Sequence, residues 1–157
     1  VDKYTWIDLG SSYVPSDILA AFLYAQLEAR EEIQARRMRI WKYYFEHLKN
    51  WAQDHNAKLP FVPADSEQSY HIFYLLMPSL QQRQALIGHL KSHGILSVFH
   101  YLPLHLSDMG RRFGGKQSDC PVTEVVSDRL VRLPFYNDLS EADQAFVVAA
   151  INEFDAR

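Results

Sequence analysis

"SYHIFYLLMPSLQQRQALIGHLKSHGILSVF", residues 69–99, holds the clearest alternation of secondary-structure signals in the chain. Ser69 to Met77 is an unbroken aromatic and aliphatic run, the composition of a largely buried strand. Pro78 ends it. Gln81 to His93 is amphipathic through Ala85, Leu86, His89 and Leu90, and Gly94 suits the position just past a helix end. Ile95 to Phe99 reads as a second strand. Strand, helix and strand with short connections predict a β-α-β unit in a small sheet.

On the C-terminal side, residues 100–120 read as loop with at most one helical turn. Pro121 suits the first position of a helix running to about Val131. "RLPFY", 132–136, is a short extended piece. Ser140 caps a last helix whose apolar stripe is Phe146, Val147, Ala150, Ile151 and Phe154.

On the N-terminal side, residues 59–66 form a proline-containing linker. Before it lies a helical region that Ser16 caps and that runs to about Asp54. Its apolar residues are Ile18, Phe22, Ala25, Ile33, Ile40, Trp41, Tyr44, Phe45, Leu48 and Trp51. One straight helix of that length would reach roughly 55 Å at about 1.5 Å per residue. The expectation is a break near Ala29 to Glu32, or a helix that leaves one domain and enters another. Residues 1–15 read as loop or short strand, with Gly10, Ser11, Ser12 and Pro15 as breakers.

The 157 residues suit one domain with a usable core. A net charge of −3 gives no global electrostatic case for nucleic acid or an anionic membrane. No apolar run is long enough to span a bilayer, so neither nucleic acid nor membrane is expected as a partner. The single cysteine, Cys120, leaves no intramolecular disulfide and fits a reducing compartment such as the cytoplasm.

"HYLPLH", 100–105, concentrates candidate chemistry. Pro103 between His100 and His105 keeps the two off one helical face. A zinc site would need a third ligand from His93, Asp108 or Cys120, at no recognised spacing, so no metal is expected. The histidines either are solvated loop residues or aim polar groups into a cleft beside a strand end. The basic run "RRMR", 36–39, reads as a solvated helix face supported by Glu28, Glu31 and Glu32. "GSSY", 10–13, offers hydroxyls and backbone N–H groups near a helix start, a setting that suits a phosphate or is an ordinary turn. No nucleophile motif or glycine-rich phosphate loop is present, and nothing marks a lysine as a cofactor anchor. From the residues alone the chain reads as a binding or interface domain that carries part of a site.

"YTWIDLGSSYVPSDILAAFLYAQLE" at 4–28, "HYLPLH" at 100–105 and "RLPFYNDLSEADQAFVVAAINEF" at 132–154 resemble, in order, the C-terminal part of the DegT/DnrJ/EryC1/StrS sugar aminotransferases. Within that family the likeness is greatest to members of enterobacterial common antigen synthesis that aminate the 4-keto group of dTDP-4-keto-6-deoxy-D-glucose. The resemblance implies an α+β fold: the C-terminal small domain of a fold type I pyridoxal-phosphate-dependent transferase, with a long N-terminal helical segment and a small sheet flanked by helices. It implies that residues 1–54 are the end of a large domain and a linking helix, and that 55–157 are the small domain. It implies a homodimer with pyridoxal phosphate as cofactor, a sugar-nucleotide substrate and an amino-acid amino donor. The Schiff-base lysine belongs to the family's large domain, so no catalytic residue is expected in this chain and the chain alone is expected to be inactive. By the same likeness Ser11 and Ser12 are cofactor-binding candidates toward the neighbouring subunit's phosphate. The family commonly has asparagine where Ser12 stands. Tyr101, His105 and His100 are the substrate-binding candidates. The rival readings are a non-catalytic association domain and a family member that dehydrates the sugar.

Overall fold

A computed structural model describes residues 13–155. The expectations for residues 1–12, Ser11 and Ser12 among them, lie outside the described residues.

The chain divides into two compact units, residues 1–32 and 33–157. In the first, α1 spans Asp17–Glu28 and is capped by Ser16, whose side chain accepts from the Leu19 N–H. None of its residues is buried; Ile18, Leu19, Phe22, Leu23, Tyr24 and Leu27 are all exposed. The helix ends at Ala29 and α2 spans Arg30–Asp54, so the helical region breaks where its length predicted a break.

In the second unit α2 buries Ile40, Trp41, Tyr44, Leu48 and Trp51, a stripe at three- and four-residue spacing. Trp41 and Tyr44 meet Phe73 at ring-centroid distances of 5.5 and 5.2 Å. The Tyr44 hydroxyl donates to the Pro134 carbonyl at 3.0 Å. Burial first, then Tyr136 and Tyr43, push its pKa upward, so it stays a donor.

The sheet has three strands: β1 (Tyr74–Leu76), β2 (Val98–Phe99) and β3 (Leu130–Arg132). Its order is β1-β3-β2, and β3 runs antiparallel to both neighbours. The expected β-α-β unit is therefore split. β1 and β2 do flank the helix α3 (Leu80–Ser92) in sequence, but β3 lies between them. The strands are also shorter than the runs 69–77 and 95–99. Tyr70 sits at φ 49, in the left-handed region, which breaks the extended run. β3 is only three residues long and can pair no more.

Cross-strand partners share a face. Leu75, Val131 and Phe99 form one row, and Tyr74, Arg132 and Val98 the opposite one. The first face meets the core, where Phe73, Leu75, Met77 and Val131 pack with Leu86 and Leu90 of α3 and with α2. Val147 and Ile151 of α6 (Glu141–Asn152) complete the core. Ser140 caps α6 as expected, accepting from the Asp143 N–H at 3.0 Å. Gln144, inside the same helix, is buried and donates to the Ile40 carbonyl at 2.6 Å. Phe146 of the expected stripe is exposed. Gly94 follows α3 at φ 74, the left-handed conformation that glycine reaches without strain. The described part is helix-rich with a small sheet, an α+β arrangement. No helix among the described residues is long and apolar enough to cross a membrane.

Gly88 lies inside α3, and a Cβ added there meets nothing within 4 Å. Gly88→Ala should raise stability by about 0.5–1 kcal/mol, by lowering the helix's entropic cost. Urea unfolding checks this; a lower midpoint would mean that α3 is packed more tightly on that side.

Candidate functional site

Residues 99–127 leave the sheet at the end of β2 and return to it through α5 (Pro121–Arg129), which runs directly into β3. The loop contains one 3-10 turn, Leu104–Leu106, and one short helix, α4 (Asp108–Arg112). Ser107 joins them: its hydroxyl donates to the Leu104 carbonyl at 2.7 Å and accepts from the Gly110 N–H at 3.1 Å. Gly110 and Gly115 pack on the backbone of residues 104–105. A Cβ on Gly110 would overlap the Leu104 carbonyl oxygen, and one on Gly115 the His105 carbonyl oxygen. The loop path thus needs glycine at both positions.

His105 itself is held. Its Nε2 lies 2.8 Å from Glu124 Oε1, and its side chain is 17 % exposed. A carboxylate only accepts, so Nε2 carries the hydrogen and Nδ1 is left as the ring's other polar atom. The same Glu124 oxygen accepts from the Ser118 N–H at 2.8 Å, with Ser118 at φ 75. The hydrogen bond from His105 holds the Glu124 carboxyl below its usual value, with the backbone N–H groups of Ser118 and Cys120 adding, against the opposing effect of burial. His105 is therefore not the solvated loop histidine that its sequence setting allows.

The other two candidates stand differently. Tyr101 is 79 % exposed. Its backbone carbonyl accepts from the Ser127 hydroxyl at 3.2 Å, so the main chain is anchored while most of the ring faces solvent. His100 is half-buried, its ring edge-on to Tyr101 at 5.4 Å. His100, Tyr101, Val122, Val126, Ser127 and Leu130 help to line a cavity of about 250 Å³. The structure brings His100 and Tyr101 to one cavity, and it turns the His105 side chain to Glu124. Glu124 and Ser127 were not legible as members of this site: they lie 19 and 26 residues from their partners. Only the position of Glu124 in the first turn of a helix started by Pro121 hinted at an anionic anchor.

Pyridoxal phosphate needs a lysine withdrawn from water to hold it. The described lysines, Lys42, Lys49, Lys58, Lys91 and Lys116, are all exposed, and Lys49 is paired with Glu46 at 2.8 Å. The described residues do not by themselves fit the cofactor's anchor. Among them no group of three or more His, Cys, Asp and Glu is placed to hold a metal ion.

Comparison with known proteins adds the family context. The sequence profile of the DegT/DnrJ/EryC1/StrS aminotransferase family matches residues 1–152. A dTDP-3-amino-3,6-dideoxy-alpha-D-galactopyranose transaminase of Aneurinibacillus thermoaerophilus is 26% identical over 155 residues, 97% of this chain and 40% of that protein. A crystal structure of a DegT DnrJ EryC1 StrS aminotransferase from Brucella abortus is 31% identical with a TM-score of 0.72, over 86% of this chain and 34% of that one. DesV of S. venezuelae, solved with a ketimine intermediate, shares the fold at 24% identity and a TM-score of 0.84, over 96% of this chain and 39% of DesV. The chain spans about two fifths of the length of the curated relatives it matches.

The clamp predicts a pH dependence. The native Glu124 carboxyl sits below its ordinary value of 4.5, so its stabilisation is complete above that value and is lost as pH falls through the lower native one. Glu124→Gln should melt below wild type at pH 7, and the gap should narrow as pH drops below about 4.5. A gap that stays constant down to pH 3 would show that the ionised carboxylate contributes nothing. His105→Ala should lower the melting temperature as well, and the two losses should not add.

Proposed function

We propose, from the premise that this chain belongs to the DegT/DnrJ/EryC1/StrS aminotransferase family, that it forms the substrate-side C-terminal part of a pyridoxal-phosphate-dependent sugar-nucleotide aminotransferase. The reaction is amino transfer to the 4-keto group of dTDP-4-keto-6-deoxy-D-glucose, with an amino acid as donor. Pyridoxal phosphate supplies the electron sink for that chemistry. Its lysine anchor lies in the part of the protein beyond these residues, and the chain alone is inactive. The enzyme works as a cytoplasmic homodimer, in which Ser11 and Ser12 reach the phosphate of the neighbouring subunit's cofactor. Residues 1–54 are the end of the large domain and the linking helix, and 55–157 the small domain.

The observation that carries this reading is the contrast between Tyr101 and its surroundings. A segment held by the Ser127 hydroxyl, two close-packed glycines and the His105–Glu124 pair presents one exposed aromatic hydroxyl beside a cavity. Rigid support under an exposed polar side chain is what recognition requires and what folding alone does not. Tyr101 binds the sugar nucleotide directly. His100 lines the cavity beneath it, and His105 adds its free Nδ1 while it fixes the loop. The exposed apolar residues of α1 support an association surface, since a large apolar patch marks an interface.

The test pairs stability with turnover in the full-length enzyme. Tyr101→Ala should leave the unfolding free energy within about 0.5 kcal/mol of wild type. It should lower kcat/KM for the dTDP-linked 4-keto sugar by roughly ten- to hundredfold, the worth of about 1.4–2.8 kcal/mol of lost contact. Unchanged kcat/KM would remove Tyr101 from the site. For the 157-residue chain by itself, pyridoxal phosphate and borohydride should leave no single lysine stably modified; one specifically modified lysine would contradict the division of labour.

A further inference from the structure

Two arginines bracket the strand from which the loop hangs. Arg83, on α3, is 6 % exposed. Its guanidinium lies 5.5 Å from the centroid of the Phe99 ring and donates from Nη1 to the Ser127 carbonyl at 3.1 Å. Arg132, on the opposite face of the sheet, donates from Nη2 to the Phe99 carbonyl at 3.3 Å. The Nε of each is buried without a hydrogen-bond partner, and so is Nδ1 of His100. Among the described residues neither guanidinium has a carboxylate within 4.0 Å.

That arrangement is costly as it stands. A guanidinium taken from water without a counter-charge costs more than its one hydrogen bond returns, and an unsatisfied buried donor adds to the cost. The Arg132 charge is felt nearby: burial first, and then Arg132, hold the His100 imidazole below its ordinary pKa, which favours the neutral ring. Arg132 is only half-buried, so it is open from one side. Leu130, two residues before it on the same face, and His100 both line the cavity beside Tyr101. A planar guanidinium with free donors matches the oxygens of a phosphate or a carboxylate.

We propose that Arg132, with Nδ1 of His100 near it and Arg83 adding positive charge from the other face of β2, is a binding site for an oxyanion, a phosphate or a carboxylate. The site stands on these unpartnered nitrogens. Only the identity of its natural ligand, the diphosphate of the sugar nucleotide or the carboxylate of the amino donor, rests on the function proposed above.

The experiment uses the full 157-residue chain, labelled with ¹⁵N. The Arg132 Nε–Hε resonance and the amides of residues 99–101 are followed in three arms at matched ionic strength: inorganic pyrophosphate, acetate and sodium chloride. The expected result is a saturable shift with pyrophosphate or acetate that chloride does not reproduce. Roughly tenfold tighter binding of one probe assigns the site to that chemistry. Arg132→Gln, read through the amides, should weaken binding roughly tenfold or more, Arg132→Lys less, and Lys91→Gln, with the same charge change, not at all. Shifts no larger than those of chloride, or wild-type binding by Arg132→Gln, would overturn the proposal. The wild-type arms decide even where Arg132→Gln unfolds. Because no turnover is measured, a positive titration beside an unaltered Tyr101→Ala enzyme would sink the functional reading and leave the oxyanion site standing.

Discussion

β3 pairs with both other strands, and without it there is no sheet. β1 is three residues long and β2 two, and neither pairs with the other. Each is a strand because β3 lies between them with a residue register to both. Strands so short hold only as part of a packed layer. The Val131 side of β3 supplies that layer by closing the core over α2, α3 and α6. β3 also follows α5 without a break, so the pairing that makes the sheet brings the N-terminal half of α5 against the loop that leaves β2. Glu124, Ser127 and Arg132 reach residues 99–105 because of that one chain path.

The loop's rigidity follows from several modest interactions that agree. Ser107 links the 3-10 turn to α4, two glycines let the backbone close on itself, and Glu124 gathers an imidazole and backbone N–H groups at one carboxylate. Each is an ordinary hydrogen bond or close contact. Together they hold a segment of more than twenty residues that has little apolar burial of its own. The ring of Tyr101 is left exposed by this arrangement.

Much of the fold was legible locally. Ser16 and Ser140 announced helix starts through their caps, Pro121 through its place in a first turn, and Gly94 a helix end through its conformational freedom. The length of the helical region points either to a break near Ala29 to Glu32 or to a helix that passes between domains, and a break is found at Ala29. Long-range pairing was hidden. The insertion of β3 between β1 and β2 joins residues more than thirty apart, and hydrophobic periodicity carries no record of which strand lies beside which. For the same reason the clamp on His105 stayed invisible: a histidine in a proline-containing loop reads as solvated until its partner, 19 residues on, is placed beside it. A short motif singles out Tyr101, His100 and His105 as candidates, but their different exposure and partners show only in the structure. The two arginines carry no sequence signal, because isolated basic residues in a strand and a helix look like surface decoration. The lack of a counter-charge, among the described residues, beside a buried Arg83 and a half-buried Arg132 sets them apart.

On the proposed function the end of β2, and not a larger concavity elsewhere in the domain, receives the substrate. That concavity is about 840 Å³ and lies between α2 and the start of α6, lined by Arg36, Arg39, Asp138 and Glu141 among others. Hydrogen exchange of the full-length enzyme with and without bound sugar nucleotide tests the two locations side by side. The account predicts slower exchange in residues 99–105 and in the first turns of α5, with residues 137–145 unchanged. Protection confined to 137–145, with none at 99–105, would contradict it.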